Sequence, residues 1–491
     1  MLDKTSLKNK LTNKKLLKDK AYVDGKWVSA ASEKTFEIYN PSTHDLIIRV
    51  PDMSRKDAQK AIDAAYRAFP MWSSKIAKER ADILSKFHNL IMENIDDLAN
   101  ILTAEMGKPL AEAKGEIAYG ASFIQWFAEE AKRINGETIP SHQADKRILV
   151  LKQPVGVVAS ITPWNFPNAM ITRKIGPALA AGCCFVGKAA EDTPLSALAL
   201  CQLAEEAGIP PGVLSIITSN DPSQIGEEFC VNPKVRKLTF TGSTSVGKIL
   251  LRQGADQVLK MSMELGGNAP FIVFDDADID EAVEGAIVSK YRNNGQTCIC
   301  ANRFYIQDRV YEEFAQKLTE KVKNMTVGDG FETESVLGPL ISTAALEKVK
   351  QHVQDARDKG GKILCGGKGH ALGKTFFEPT VITEVNESML VSNEETFGPV
   401  APLFRFSDEN DVIVKANATQ YGLASYFYAG NLSRVWRVTE SLEYGMVGVN
   451  TGVISTEVAP FGGVKQSGIG REGSSHGIEE YLEMKYVCLS I

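Results

Sequence analysis

The sequence predicts an α/β protein in which helices cover both faces of a parallel sheet. Apolar, strand-like runs occur at residues 155–161, 213–217 and 237–241. Between the first two runs lies a helical stretch, 194–207, with Pro194 at its start and Gly208 just past its end, and both residue types are preferred at those places. Strands that alternate with helices in this way are typical of a parallel sheet.

Length and composition narrow the class of protein. At 491 residues the chain is too long for one ordinary core, so at least two domains are expected. A net charge of -6 gives no basic excess for a nucleic-acid backbone, and no run of 18 apolar residues is present to span a membrane. The eight cysteines lack the density of a disulfide scaffold and the six histidines form no ligand-spaced pair, so we expect a cytoplasmic protein without a metal site.

The elements follow in a definite order along the chain. Seven lysines among residues 1–20, with no apolar segment of a signal peptide, predict a flexible basic arm or a short helix. Residues 54–132 are predicted to be helical and open with a Ser-x-x-Asp capping box. A Gly/Pro cluster at 264–270 marks a domain boundary, and a second alternating region follows it to residue 445. The glycine-rich stretch 446–471 predicts an ordered loop around a site.

Cys298 is the most informative single residue. It lies in the run Asn-Asn-Gly-Gln-Thr-Cys-Ile-Cys, residues 293–300, among small and polar neighbours. A structural cysteine usually lies in an apolar run, so this setting favours a nucleophile presented at a turn. Taken alone, a pair of core cysteines in a strand is an equally good interpretation.

A candidate phosphate-binding turn follows the third strand. Residues 242–248, Gly-Ser-Thr-Ser-Val-Gly-Lys, join a strand to a helix, and such a turn directs backbone N–H groups and the helix dipole at an anion. Gly242, Ser243 and Gly247 are therefore candidate contacts. The run resembles a Walker A loop, but Ile249 has no hydroxyl for magnesium, and the second glycine of the dinucleotide fingerprint is absent. Phosphate binding is favoured over a plain turn, and ATP hydrolysis is disfavoured.

Lys188 and Glu191 follow another predicted strand, where open α/β sheets bind their ligands. A lysine at this point can reach ribose hydroxyls, and the carboxylate three residues later can accept hydrogen bonds from them. A simple charge pair at the start of the next helix explains the same residues equally well.

Three further polar residues are ambiguous when taken singly. Asn165 lies between two prolines, and its rigid amide suits an oxyanion or merely caps a turn. Glu264, at the domain boundary, is either a base whose pKa burial raises or one half of a salt bridge. Glu395 precedes Thr-Phe-Gly-Pro and follows another acid, and paired acids on a loop are usually solvated.

Together these motifs, with Pro-Phe-Gly-Gly at 460–463, resemble the aldehyde dehydrogenase superfamily in order and spacing, over essentially the whole chain from residue 20. The resemblance implies a homodimer or homotetramer and an aldehyde dehydrogenase-like α/β fold. The implied parts are a Rossmann-type NAD(P)-binding domain at 21–132 and 152–264, a catalytic domain at 265–445, oligomerisation strands at 133–151 and 472–491, and a substrate-site loop region at 446–471.

The resemblance also implies roles for single residues. Cys298 attacks the aldehyde, Asn165 binds the oxyanion and Glu264 activates water. The implied cofactor contacts are Trp164, Lys188, Glu191, Gly242, Ser243, Gly247, Glu395 and Phe397. An acid at 191 would bind an unmodified ribose and repel a 2′-phosphate, so we expect NAD rather than NADP. The family's usual Val-Lys-Pro is Gly-Lys-Ala around Lys188 here, which implies a looser ribose site.

Within the superfamily the chain is most similar to succinate-semialdehyde dehydrogenases. Met-Ile-Thr-Arg-Lys at 170–174, Arg292, and Asn-Thr-Gly-Val-Ile-Ser at 450–455 carry this similarity. Those enzymes bind the distal carboxylate of the substrate through residues that match Arg173, Arg292 and Ser455, and guanidinium groups suit a carboxylate. Each arginine has an interdomain ion pair as its alternative. We expect oxidation of succinate semialdehyde, with glutarate semialdehyde or a broader aldehyde range as alternatives.

Other classes of protein fit less well. A P-loop NTPase is disfavoured by Ile249, a thiol hydrolase without nicotinamide by the missing Cys/His pairing, and a catalytically silent member by the joint presence of the three catalytic residues. Cys300, two positions after Cys298, suggests a reversible disulfide that would inactivate the enzyme under oxidation.

Overall fold

The computed structural model describes residues 7–491. Its strands are β1 (Ala21–Val23), β2 (Lys26–Val28), β3 (Thr35–Tyr39), β4 (Leu46–Pro51), β5 (Glu137–Ile139), β6 (Lys146–Pro154), β7 (Val157–Ile161), β8 (Cys184–Lys188), β9 (Leu214–Ile217), β10 (Val235–Thr241), β11 (Lys260–Glu264), β12 (Ala269–Val273), β13 (Ala301–Gln307), β14 (Lys362–Cys365), β15 (Thr380–Thr383), β16 (Val400–Phe406), β17 (Ala424–Tyr428), β18 (Met446–Val449), β19 (Gly468–Ile469) and β20 (Leu482–Ser490).

Helices connect most of these strands. They are α1 (Leu7–Lys10), α2 (Arg55–Ser73), α3 (Ala77–Glu93), α4 (Ile95–Met106), α5 (Leu110–Glu130), α6 (Ala169–Ala181), α7 (Leu195–Ala207), α8 (Pro222–Val231), α9 (Thr244–Gly254), α10 (Ile279–Tyr291), α11 (Tyr311–Lys323), α12 (Thr343–Asp358), α13 (Leu390–Asn393), α14 (Glu409–Asn417), α15 (Leu432–Ser441) and α16 (Ser474–Glu479). As the sequence predicted, α7 ends at Gly208, whose φ is +97°.

The first large sheet has the order β19-β11-β10-β7-β8-β9-β1-β2. Its central strands, from β11 to β9, run parallel, and antiparallel strands border them on both sides. Helices from both halves of the first 264 residues bury one continuous core against it. The predicted α/β class is confirmed.

The second large sheet has the order β14-β15-β16-β13-β12-β17-β18 and is parallel except at β14. Successive residues of β12 enter different cores, since Phe271 and Val273 pack on one face and Ile272 packs on the other. A strand covered on both faces is apolar at every position, which explains why this run shows no alternation.

The junction between the sheets lies where their strands end and begin. β11 ends at Glu264 and β12 begins at Ala269, while β19 returns late in the chain and pairs Gly468 with Glu264. Because β10 and β11 are parallel, their carboxyl ends reach the same edge, where ligands of α/β proteins bind.

The basic N-terminal segment differs from the expectation of a flexible arm. Three of its leucines are buried in the first core: Leu7, Leu11 and Leu16. The Asp97 carboxylate accepts hydrogen bonds from the backbone N–H groups of residues 12 and 13, at 2.9 and 2.6 Å. The leucines between the lysines anchor residues 7–20, and the short helix that the sequence offered as the alternative to a flexible arm is present as α1. Residues 1–6 lie outside the described residues.

A small third sheet has the order β20-β6-β5. β20 pairs with β6 along its whole length, from Leu482 opposite Pro154 to Ser490 opposite Lys146. The two predicted oligomerisation segments thus pair with each other inside one chain. The helix α16 also occupies the start of the second segment. Met484 and Tyr486 are exposed on this sheet.

Two classes of feature are missing from the described part of the chain. No helix among residues 7–491 is long and apolar enough to cross a bilayer. Nor do those residues bring three or more His, Cys, Asp or Glu side chains together in an arrangement that could hold a metal ion.

Candidate active site

A cleft of about 280 Å³ opens at the junction of the two large sheets. All three predicted catalytic residues, Cys298, Glu264 and Asn165, lie in its wall. Five of the predicted cofactor residues line it as well: Trp164, Gly242, Ser243, Glu395 and Phe397. Residues more than 200 positions apart in the sequence therefore meet at one place.

The backbone before Cys298 turns sharply and presents the thiol to the cleft. After α10 ends at Tyr291, Asn293, Asn294 and Gly295 adopt positive φ values of 52°, 55° and 75°. A Cβ atom at 295 would overlap the carbonyl oxygen of Gly398, so the close approach of these two loops requires glycine. Cys298 remains half-buried while its neighbours on both sides are buried.

Hydrogen bonds hold both the side chain and the backbone carbonyl of Asn165. Its side-chain Nδ2 donates to the carbonyl oxygen of Gln296 at 3.0 Å, and Asn293 Nδ2 donates to the Asn165 carbonyl at 3.0 Å. A side-chain amide nitrogen carries two hydrogens, so one remains to bind a ligand in the cleft. The Oδ1 atom is buried without a hydrogen-bond partner.

Burial and nearby charges both shift the pKa values of Cys298 and Glu264. Burial raises the pKa of the Cys298 thiol to about 12, Glu395 and Glu264 add to this effect, and Arg173 opposes it. Burial and the nearby Glu472 carboxylate hold the pKa of Glu264 well above its usual range, against the opposing charges of Arg173 and two other cations. A carboxyl whose pKa burial and a neighbouring charge raise in this way is a candidate for proton exchange in a reaction.

Cys300 is buried and points away from solvent. Its thiol donates a hydrogen bond to the carbonyl oxygen of Lys290 at 3.0 Å, and both Cys298 and Cys300 are free thiols. The proposed disulfide between them stays a prediction.

The turn after β10 has the predicted form of an anion site. Ser243 is the N-cap of α9, and its hydroxyl accepts a hydrogen bond from the N–H of Val246 at 3.4 Å. Gly242 and Ser243 line the cleft, so the positive end of the α9 dipole faces it. Gly247 does not line the cleft, and a Cβ there would overlap Leu265. The structure thus gives Gly247 a packing reason, and its predicted cofactor contact stays a prediction.

Helix α12 holds the loop that carries Glu395 and Phe397. Lys348 Nζ donates to the Glu395 carbonyl oxygen at 2.6 Å, and the buried His352 ring lies 3.1 Å from the hydroxyl of Thr396. Burial raises the pKa of Glu395 to about 7, although the N–H of Gly267 donates to its carboxylate. Phe397 adopts a φ of 55° and packs edge-on against Trp164 at 5.5 Å.

Lys188 and Glu191 form an ion pair next to a second cavity of about 440 Å³. Glu191 and Asp192 both line this cavity. Desolvation and the neighbouring Glu191 raise the pKa of Asp192 to about 6. The contact matches the charge-pair interpretation, and the carboxyl groups of Glu191 and Asp192 face the same cavity.

A third cavity, of about 250 Å³, is lined by Phe166, which belongs to the loop that carries Asn165. Arg292 and Ser455, two of the predicted carboxylate ligands, line it together with Tyr119 and Phe166. Phe166 directly follows Asn165, so the two cavities share this loop as their partition.

Arg173, the third predicted carboxylate ligand, lines neither cavity and is 1% exposed. Its Nη2 atom lies 2.7 Å from Glu472 Oε2, and its guanidinium stacks on the Phe461 ring at 4.0 Å. Lys174 pairs with the other oxygen of the same carboxylate. The structure supports the ion-pair alternative for this arginine, since a buried charge needs a partner.

The model of the aldehyde dehydrogenase family matches residues 27–487. The chain belongs to this family. It is 60% identical to a glutarate-semialdehyde dehydrogenase of Pseudomonas aeruginosa over 98% of this chain and 99% of that protein. It is 58% identical to an NADP(+) succinate-semialdehyde dehydrogenase of Escherichia coli over 98% and 100% of the two chains. The solved succinate-semialdehyde dehydrogenase of Burkholderia pseudomallei superposes with a TM-score of 0.97 at 58% identity, covering 98% of this chain and 100% of that one.

Several residues around the site of this aldehyde dehydrogenase were not found by sequence reasoning. Lys348 and His352 lie on a helix with no motif of its own. The Glu105 carboxylate accepts hydrogen bonds from the N–H groups of Leu195 and Ser196 at the start of α7, at 2.6 and 2.8 Å. Lys108 is a fully buried lysine beside Asn165. Only a Gly-Lys-Pro tripeptide at the end of a helix signals it in the sequence.

Proposed function

We propose that this aldehyde dehydrogenase oxidises succinate semialdehyde to succinate with NAD+, through a thioester on Cys298. The observation that carries the proposal is the pair of cavities on either side of Asn165. One cavity holds the nucleophile, and the other presents Arg292 and Ser455 to a distal carboxylate. Relatives at 58–60% identity carry the names of succinate- and glutarate-semialdehyde dehydrogenases, which supports the same substrate class.

In the first step the Cys298 thiol gives its proton to water and the thiolate attacks the aldehyde carbon. A carbon–sulfur bond forms, the carbonyl π bond breaks, and negative charge moves to the carbonyl oxygen. The free Nδ2 hydrogen of Asn165 and the backbone N–H of Cys298 stabilise that oxyanion. These donors are held in place before the reaction, so little reorganisation is needed when the charge develops.

The cleft fits a nicotinamide dinucleotide. The N-terminus of α9 with Gly242 and Ser243 suits the pyrophosphate, and Glu395 with Phe397 suits the nicotinamide riboside. When bound, the nicotinamide would be the oxidant, because it would accept a hydride from the former aldehyde carbon.

Hydrolysis completes the turnover. Glu264 in its carboxylate form takes a proton from water, and the hydroxide oxygen attacks the thioester carbon. The carbon–sulfur bond then breaks, which releases the acid and returns the Cys298 thiolate. The charges of Arg173 and Lys174, both paired with Glu472, favour the ionised form of Glu264.

We propose NAD as the preferred cofactor, with NADP accepted less well. Glu191 and Asp192 place two carboxylates at the cavity beside Lys188, and the lysine is already paired. A 2′-phosphate would meet like charges there. The Arg292 and Ser455 site selects a substrate with a distal carboxylate but does not select its chain length. Glutarate semialdehyde is therefore the second candidate, and one relative carries the name of a glutarate-semialdehyde dehydrogenase.

Reduction of NAD+ and NADP+ with succinate semialdehyde, glutarate semialdehyde and propanal tests the proposal. We expect the two acids to be used far better than propanal in the parent, and Arg292→Ala to remove that preference by raising the KM for the acids. Use of propanal as efficiently as the acids, with no effect of Arg292→Ala, would show that the carboxylate site is wrongly assigned.

Two further assignments belong to the proposal. The exposed face of the third sheet, with Met484 and Tyr486, meets a second copy of the chain in a homodimer or homotetramer, so charged substitutions there should lower the mass in solution. The protein acts in the cytoplasm, where a reducing pool keeps Cys298 as a thiol.

A further inference from the structure

Lys108 is a charged residue in a place that stability alone does not explain. α4 ends at Gly107 in the left-handed conformation, and the chain then directs the Lys108 side chain into the protein, where it is about 1% exposed. A buried ion pair is weak evidence of stabilisation, because the loss of hydration offsets the attraction. The contacts that this lysine makes therefore call for another explanation.

The Lys108 ammonium group has three partners, two of which belong to the loop that carries Asn165. It lies 2.5 Å from the Glu116 carboxylate, donates to the carbonyl oxygen of Asn165 at 2.8 Å, and packs 3.7 Å from the centroid of the Phe166 ring. Two of these partners are consecutive residues of the partition between the cavities. The lysine thus fixes the peptide that carries the oxyanion donor.

Glu116 holds the other end of the same loop. Its Oε2 pairs with Lys108, and its Oε1 accepts hydrogen bonds from the N–H groups of Asn168 and Ala169, at 2.9 and 3.1 Å, where α6 begins. Glu116 is one of the buried residues of helix α5. One ion pair therefore connects both sides of the segment 165–169 to a single helix.

We propose that Lys108 and Glu116 are positioning residues that orient the Asn165 amide toward the oxyanion. The inference rests on the proposed function, since it requires that Asn165 binds the oxyanion. Asn293 Nδ2, the second donor to the Asn165 carbonyl, comes from the loop of Cys298. With Lys108 in place, the donor is held relative to the nucleophile and to α5 at once, and misplacement of about 1 Å can cost about 10²-fold in rate.

Direct binding of the substrate is the competing role, because Lys108 also lines the cavity of Arg292. The two roles predict different losses. A positioning residue affects the reacting carbonyl of every aldehyde, so kcat should fall equally for succinate semialdehyde and propanal. A carboxylate ligand would instead raise the KM for succinate semialdehyde alone.

A double-mutant cycle tests the proposal in the full-length enzyme with NAD+. We expect Lys108→Met to lower kcat about 10- to 100-fold for both aldehydes with little change in the KM for NAD+, and Lys108→Arg to recover part of the loss. Because both residues act through one donor, Lys108→Met should cost little more in a background of Asn165→Ala. Lys114→Met, on the exposed face of α5 next to Asp96, is the matched control and should retain parental kcat.

If the losses of kcat from Lys108→Met and Asn165→Ala multiply fully in the double variant, the proposal is overturned. A loss from Lys108→Met that is confined to succinate semialdehyde would overturn it too. If Lys108→Met does not fold, Glu116→Gln carries the same test, since it keeps the shape of the side chain and removes the charge that orients Lys108. If the parent is active and Asn165→Ala slows it, but neither Glu116→Gln nor Lys108→Met does, only this inference is refuted. A parent that oxidises no aldehyde would refute the proposed function itself.

Discussion

The side-chain amide of Asn165 donates a hydrogen bond of 3.0 Å to the backbone carbonyl of Gln296, two residues before Cys298. The loop after the first sheet's β7 is thereby joined to the loop that carries the nucleophile from the second sheet. The proposed oxyanion donor and the attacking thiol are thus held in register by a direct bond across the domain junction.

Replacement of Asn165 by alanine removes the side-chain donor and this bond together. We expect kcat to fall about 10²- to 10³-fold, the usual cost of one oxyanion donor. Steady-state oxidation of succinate semialdehyde measures the loss, and a fluorescence titration with NADH shows whether the cofactor still binds. An unchanged kcat would remove Asn165 from the mechanism.

The reactivity of Cys298 should increase with pH in the absence of cofactor. The thiolate is the reactive form, and burial raises the pKa of this thiol to about 12, so the thiolate fraction grows about tenfold per pH unit from pH 7 to 9. Alkylation by iodoacetamide, followed by mass spectrometry of the peptide that contains residue 298, gives the rate. The exposed Cys488 supplies an internal comparison in the same sample. A pH-independent rate at Cys298 would mean that its thiolate is already formed at pH 7.

Gly295 is expected to tolerate no side chain. Gly295→Ala places a methyl group against the backbone of Gly398, so the loops of Cys298 and Glu395 must separate, and we expect about a 10²-fold loss of kcat and a lower Tm. Gly360→Ala is the control, because φ is also positive there (97°) but no atom lies within 4 Å. That change should cost about 1 kcal/mol of stability and no activity. Equal effects of the two substitutions would show that backbone strain alone is responsible.

The preference for NAD+ over NADP+ should depend on the negative charge of the cavity that Glu191 and Asp192 line. Glu191→Gln and Asp192→Asn each remove a negative charge, and one unit charge at about 4 Å in water corresponds to about 1 kcal/mol, or about fivefold. We therefore expect kcat/KM for NADP+ to rise about fivefold per substitution, with a smaller change for NAD+. The ratio of the two values, measured at pH 8 where Asp192 is ionised, is the readout. A parent that already prefers NADP+ would contradict the argument from charge.

Oxidation tests the predicted disulfide of Cys298 and Cys300. To form it, the Cys300 thiol must give up its hydrogen bond to Lys290 O. Peroxide should inactivate the parent in a way that dithiothreitol reverses, whereas Cys300→Ala should be inactivated irreversibly, because no second thiol protects the sulfenic acid. Identical recovery of both proteins would exclude the disulfide.

Local sequence patterns located the residues that meet in the cleft. The Gly-Gln-Thr-Cys run and the small and polar residues of 242–248 identify the loop that presents Cys298 and the turn that suits an anion. The predicted strand ends place Glu264 at the sheet edge where ligands bind. The placement of Lys108, Arg173 and Gly247 could not be predicted in this way. Each depends on tertiary packing, and the partner of Arg173, Glu472, lies almost 300 positions away and leaves no periodic signal in the sequence.

The pairing of Phe461 with Glu472 makes the order of synthesis matter. Cys298, Asn165 and Glu264 emerge from the ribosome long before the carboxylate of Glu472, which pairs with Arg173 and Lys174 behind the cleft. A chain that ends before residue 472 would lack this carboxylate, so we expect Arg173 and Lys174 to remain without their shared counter-ion behind the cleft.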